Sequence, residues 1–307
     1  MKKTVIEKLT SYKIIDIASL PEAKDAVKNY INERFSVLKV KDEHREALFP
    51  ILICSAFGCP FPIEIYNRLY SEYRPYLQSL YNQGFITSND GLINGPHEII
   101  SRNLIFHTQN IYHPDFYPFK EYIERFTKNV QKKYISIFFT FGSNMGAASE
   151  HESTKKETLL ELSCKCLERV VELDNTSSVA WYNWGNSLVK LGDIYAQQQK
   201  PVEAISCYNA ASEKFEQATT INKDFAEAWY NWGNSLRKLG DLYAQQQKPD
   251  DAIRCYNDAC VKFEKATSIN KDFAEAWNNW GISLRKLGDL YAQQQKPVEA
   301  IRCYNAA

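Results

Sequence analysis

Histidines, cysteines and a recurring set of asparagines, arginines and lysines are the residues of this 307-residue chain that could do chemistry. The five histidines, His44, His97, His107, His113 and His151, form no H-x3-H pair, so a helical zinc site has no ligands. Three of the eight cysteines, Cys207, Cys255 and Cys303, recur at a constant spacing with no histidine or second cysteine at ligand distance. Cys164-x-Cys166 lies in a helical stretch, where residues two apart face different sides. No G-x-S-x-G elbow occurs, and the acidic residues lie along charged helical faces rather than as an isolated acid–base pair. No catalytic residue, metal or cofactor is expected, and the chain does not read as an independent enzyme.

What recurs instead are amides and cations. Asn183, Asn231 and Asn279 each follow a tryptophan by two residues, and Asn186 and Asn234 follow the same tryptophans by five. The tryptophans Trp181, Trp229 and Trp277 are 48 residues apart, as are Gly185, Gly233, Gly281 and Pro201, Pro249, Pro297. A fixed period decides the architecture before any local pattern does. Between Ala226–Ala259 and Ala274–Ala307, 34 aligned positions carry five differences: Tyr230/Asn278, Asn234/Ile282, Asp250/Val298, Asp251/Glu299 and Asp258/Ala306.

Each unit predicts two helices. Trp229, Trp232, Leu236, Leu239 and Tyr243 fall at helical intervals and define one buried face. Pro249, which lacks an N–H and fixes φ, suits the first position of a second helix. That helix carries Ala252, Tyr256, Ala259 and Phe263 and stops near Asn270-Lys271-Asp272, whose side chains can cap the next one. Helix, turn, helix, repeated, is an all-α solenoid.

Trp229-x2-Trp232-Gly233-x2-Leu236, followed by Ala252-x3-Tyr256-x2-Ala259, resembles the tetratricopeptide (TPR) repeat. The unit here is 14 residues longer than the family's, about seven per helix, close to two turns, so the buried faces stay in register. The resemblance implies a concave face lined by first helices that binds a protein or peptide. In the family, asparagines and lysines on successive first helices hold a peptide's terminal carboxylate. Here the asparagines are present, but Tyr182, Tyr230 and Asn278 stand where lysine is expected. The expected groove residues are Tyr182, Asn183 and Asn186 in one unit, then Tyr230, Asn231, Asn234, Arg237 and Lys238, then Asn279, Arg285 and Lys286. Their amides, phenols and cations suit a protein surface better than a free carboxylate. Trp229 and Trp232 are expected in the core rather than as a ligand cage, and Gly233 as a close helix-packing position.

The first half reads as a helix over Asp42–Phe57, helices near Pro62–Ser71 and Pro75–Gln83, and a hairpin turning at Asn89-Asp90-Gly91. Helices with a two-stranded wing make a winged-helix-like domain. Its third helix has one cation and its wing none, so phosphate contacts are scarce and nucleic acid is not the expected partner. Leu77-x2-Leu80, Gly84-Phe85-Ile86 and Gly95-Pro96-His97-Glu98 resemble the winged-helix domain of STAND-type NTPases. That resemblance implies a phosphate-sensing role for His97 and an NTPase core upstream, since no G-x4-G-K-[ST] occurs in the chain.

Lys+Arg and Asp+Glu number 37 each, and neither half is a polycation, which removes the bulk argument for nucleic acid or an anionic membrane. No apolar run is long enough to span a bilayer and no leader pattern opens the chain, so cytoplasm is the expected compartment. The domains expected are an N-terminal helical segment (1–41), the winged-helix-like domain (42–116), a connecting helix and linker (117–153) and the TPR-like array (154–307), whose last repeat is incomplete and reads as truncated. The function these imply is protein interaction, as the sensor part of a STAND-type signalling or defence NTPase lacking its core. The alternatives are a free-standing TPR scaffold and a winged-helix DNA regulator with a TPR ligand domain.

Overall fold

The computed structural model describes residues 51–95 with short gaps, 127–128, 131–149 and 156–307. His97, the 1–41 segment and the stretch 96–126 lie outside the described residues. The chain divides into two compact units, Met1–Phe141 and Gly142–Ala307. Ten α-helices and three short strands are present among the described residues.

In the first unit, strand β1 (Phe61–Pro62) leads directly into helix α1 (Ile63–Leu69). Helix α2 (Arg74–Asn82) follows after a 3-10 turn, and then the hairpin of β2 (Thr87–Asn89) and β3 (Leu92–Asn94). The sheet order is β1-β3-β2, all antiparallel, with Phe61 opposite Ile93 and Thr87 opposite Asn94. Asp90 sits at φ 48° in the hairpin turn, a conformation that aspartate tolerates better than most residues. Leu77 and Leu80, one helical turn apart on α2, are buried, as are Ile65, Tyr66, Phe61 and Ile93. Phe61 and Tyr66 meet edge to face at 6.2 Å.

The second unit is a stack of helical hairpins. Helix α3 (Ile135–Ala148), which belongs to the second unit from Gly142 on, and α4 (Lys156–Leu173) are followed by α5 (Ser178–Gln197) with α6 (Pro201–Ile221), α7 (Ala226–Gln245) with α8 (Pro249–Ile269), and α9 (Ala274–Gln293) with α10 (Pro297–Ala306). Proline occupies the first position of α6, α8 and α10, as its missing N–H requires. The core between consecutive hairpins is built from second helices and the following first helix: Ala204 and Tyr208 of α6 pack with Leu239 and Leu242 of α7 and Cys255 of α8.

Glycines fasten each hairpin. A Cβ on Gly233 would lie 2.7 Å from the ring of the fully buried Phe263, and one on Gly240 the same distance from Tyr256. Gly185 and Gly192 stand in the same relation to Phe215 and Tyr208.

The turn between the two helices of each unit is a Schellman motif. Lys200 N–H donates to Tyr195 C=O at 2.9 Å and Gln199 N–H to Ala196 C=O at 3.1 Å, with Gln199 left-handed at φ 59°. Gln247 and Gln295 repeat it at φ 59° and 57°.

Two elements differ from the sequence expectation. Gly142–Ala148, whose small polar residues suggest a linker, is the second part of α3. Its smallness serves close packing instead: a Cβ on Gly142 would lie 2.9 Å from the Cys166 Cβ, and one on Gly146 2.9 Å from the Ser187 Oγ. Phe138-x2-Phe141-Gly142-Ser143 also runs parallel to Trp181-x2-Trp184-Gly185-Asn186, and its phenylalanines stack at 6.3 Å as the tryptophans do at 5.6 Å. Helix α3 therefore has the character of a first helix, with phenylalanine in place of tryptophan.

The tryptophans are the second difference. Trp229 and Trp232 are half-buried rather than core; they stack at 5.5 Å, and Lys262 of α8 lies over them at 5.5 and 3.6 Å. Desolvation in that position lowers the Lys262 pKa. Lys214 covers Trp181 and Trp184 in the same way.

Candidate functional site

The first helices α5, α7 and α9 lie in sequence along the array, and a ladder of amides ties them. Asn231 Nδ2 on α7 donates to the Tyr182 hydroxyl at 3.2 Å and to Asn186 Oδ1 at 2.8 Å on α5. One unit on, Asn279 Nδ2 donates to the Tyr230 hydroxyl at 3.0 Å and to Asn234 Oδ1 at 2.8 Å. Asn183 Nδ2 donates to Ser143 Oγ on α3 at 3.0 Å, and Ser143 stands where Asn186 and Asn234 stand in the later units. The tyrosine rings are held from behind, Tyr230 packing on Phe263 at 6.0 Å and Phe273 at 4.8 Å. Asn183, Asn231 and Asn279 thus spend N–H groups within the array, while Asn186 and Asn234 give it their carbonyl oxygens.

The cations are held by a second recurring device. Asp241 accepts from the Tyr256 hydroxyl at 2.6 Å, forms an ion pair with Lys286 of the next first helix, and receives Arg237 Nη1 at 3.2 Å from its own helix. Asp193 takes the Tyr208 hydroxyl at 2.6 Å and an ion pair with Lys238. Each aspartate therefore joins three helices belonging to two units. Burial, and then the hydrogen bond to aspartate, raises the pKa of both Tyr208 and Tyr256, which keeps the phenols as donors.

Between α5 and α7, with α9 at one side, lies a cavity of about 420 Å³. Asn186, Val189 and Lys190 of α5 line it on one side; Tyr230, Asn231, Asn234, Arg237 and Lys238 of α7 and Asn279 of α9 line the other. Among the described residues, three cations and no carboxylate line this space. Arg237 Nε is buried without a hydrogen-bond partner, a cost for a charged donor.

Of the residues expected from the sequence, Asn186, Tyr230, Asn231, Asn234, Arg237, Lys238 and Asn279 meet at this cavity. Tyr182 and Asn183 serve the ladder, Lys286 pairs with Asp241, and Arg285 is exposed on α9. Val189 and Lys190 were not singled out by sequence reasoning, although they occupy the helix positions of Arg237 and Lys238 one unit earlier.

No cluster of three or more metal-ligating side chains occurs among the described residues. Burial pushes the Cys207 and Cys255 thiols up to about 11, away from reactivity. No helix of the described residues is long and apolar enough to cross a membrane.

The second unit is an all-α, TPR-like solenoid with a polar cavity between its first helices. No protein-family model matches the chain, and no curated protein does. Among solved structures it is similar to MamA, at 20% identity and TM-score 0.32 over 62% of this chain and 86% of that one. It is similar to BtubC from P. vanneervenii at 15% identity and TM-score 0.35, over 84% and 88% of the two chains. A third is a Signal Transduction ATPase with Numerous Domains (STAND) protein with a tetratricopeptide repeat sensor from Pyrococcus horikoshii. There the identity is 16% and the TM-score 0.29, over 88% of this chain and 44% of that one.

Proposed function

We propose that the array is a protein-interaction module that captures an extended segment of a partner protein along α5, α7 and α9. The observation that carries this reading is the cavity itself, where amide, phenol and cationic groups converge. With its N–H groups spent on the ladder, Asn231 keeps its Oδ1 as an acceptor, while Asn186 and Asn234 keep their Nδ2 donors. One acceptor and one donor per unit match the N–H and C=O of a peptide main chain.

The array serves as the sensor part of a STAND-type NTPase, with residues 42–116 relaying capture to a nucleotide core outside this sequence. The motifs Leu77-x2-Leu80 and Gly84-Phe85-Ile86, with a hairpin directly after them, support that assignment.

The test is affinity capture with the full chain followed by mass spectrometry, comparing wild type with Asn234→Ala/Arg237→Ala. Helicity by circular dichroism should be unchanged and the captured partner lost. Equal capture by the variant refutes the groove. A P-loop encoded in the reading frame immediately upstream supports the sensor role; a gene with none there favours a free-standing scaffold.

A further inference from the structure

The near-identity of the last two units makes their differences informative. Two of the five differing positions, Tyr230/Asn278 and Asn234/Ile282, lie four residues apart on the first helix, on the face that lines the cavity. The scaffold positions, including both tryptophans, both glycines, the joint aspartate and the packing tyrosine, are unchanged between these units. The unit before them differs in the same region, carrying Val189 where Arg237 and Arg285 follow. The copies therefore keep one framework while equivalent positions of their first helices carry three different pairs: Asn186 with Val189, Asn234 with Arg237, and Ile282 with Arg285.

A ligand that was itself a uniform repeat would be served by uniform cells. Graded cells read an ordered segment. In the cavity between α5 and α7, Lys190, Arg237 and Lys238 face no lining carboxylate among the described residues, and Val189 supplies an aliphatic wall. Lys238 is paired with Asp193, and Arg237 gives Nη1 to Asp241 while its side chain stays partly exposed. A side-chain carboxylate with a short aliphatic stem meets the positive charge of this lining and covers Val189. In the next cell the position of Asn234 is taken by Ile282, which replaces an amide by a branched apolar side chain.

We infer that the partner segment places an acidic side chain against Arg237 and an apolar side chain against Ile282, about one repeat further along. This rests on the groove reading above and adds the chemistry of the occupant. Adjacent helices pack about 8–10 Å apart and an extended chain advances about 3.3–3.6 Å per residue, so the two side chains are about three residues apart. Single-stranded nucleic acid would supply phosphate for Arg237, but the apolar cell at Ile282 favours a peptide.

The test uses the full chain as bait for a phage-displayed random dodecapeptide library, with poly(U) as a competitor. The recovered peptides should share Asp or Glu separated by about three residues from Ile, Leu, Val or Phe, in either order. A consensus peptide is then titrated by fluorescence anisotropy. Arg237→Val should weaken it on the order of tenfold, the loss expected for a charge-assisted contact. Changing the peptide's acid to its amide should cost wild type the same factor and Arg237→Val almost nothing. Ile282→Asn should weaken the peptide severalfold, and an Asn substitution at the peptide's apolar residue should reproduce that loss.

Both variants introduce residues that the same helix position already holds in another unit, Val189 and Asn234, so folding is preserved by precedent. Peptides without an acidic residue, or equal binding by Arg237→Val, overturn the inference. If those peptides still lose affinity with Asn231→Ala, the groove reading stands without it. Displacement of all peptides by poly(U) at equal charge, or recovery of no peptide that depends on Asn231, overturns both.

Discussion

Replacing Gly233 by alanine sets two effects of opposite sign against each other, and the geometry decides between them. In an isolated helix the change is favourable by about 1 kcal/mol, because glycine has the greater conformational freedom to lose. In the array the new methyl would lie 2.7, 2.8 and 3.0 Å from three ring carbons of Phe263, against ordinary contacts of 3.4 Å or more. Phe263 is fully buried and its ring cannot withdraw into solvent. Overpacking of this kind costs about 1–3 kcal/mol, so the net expectation is destabilisation by about 1 kcal/mol. For a unit of this size that corresponds to a fall of about 2–4 °C in the melting temperature. Thermal melts followed by far-ultraviolet circular dichroism measure it, and hydrogen exchange locates it in α7 and α8. In a Phe263→Leu background the ring is gone, and the same Gly233→Ala change should become neutral or stabilising. A higher melting temperature for Gly233→Ala in the wild-type background would refute the packing argument.

Gln247 is exposed and left-handed, so Gln247→Gly should stabilise the array by about 0.5–1 kcal/mol; equal or lower stability in chemical denaturation contradicts the strain. Tyr208 and Tyr256 have raised pKa values in the fold, so their contribution is complete below the ordinary phenol value of 10.0 and is lost as pH rises above it. Denaturation at stepped alkaline pH should therefore show stability falling above about pH 10, less steeply in Tyr208→Phe/Tyr256→Phe. Cys207 and Cys255 are buried with thiols raised to about 11, so they should react with a thiol reagent at pH 8 only at the rate at which the array opens. Fast reaction of both in the folded chain would contradict their burial.

The repeat was legible because period and helical spacing are properties of residue type alone. Trp229, Leu236, Tyr256 and Pro249 place two helices and a turn in each unit without reference to anything distant. Helix α3 was obscured for a physical reason: Gly142, Gly146 and Ala147 have the composition of a linker, and only the partner residues Cys166 and Ser187 show that small size is needed there. The tryptophans were misplaced as core because the lysine covering each pair, Lys262 over Trp229 and Trp232, comes from the second helix some thirty residues later. At the groove, the sequence marked the right helix face but not the allocation of hydrogen bonds. That Asn231 is committed to Tyr182 and Asn186, while Arg237 Nε is left over, depends on how units stack.

The central claim is that the partner lies along the first helices. A photo-crosslinking amino acid placed at Val189, in the cavity wall, and separately at Arg254, on the exposed face of α8, tests it most directly. The account predicts a discrete crosslinked partner from position 189 and none from position 254. Crosslinking from 254 with none from 189 would contradict it and move the binding surface to the second helices.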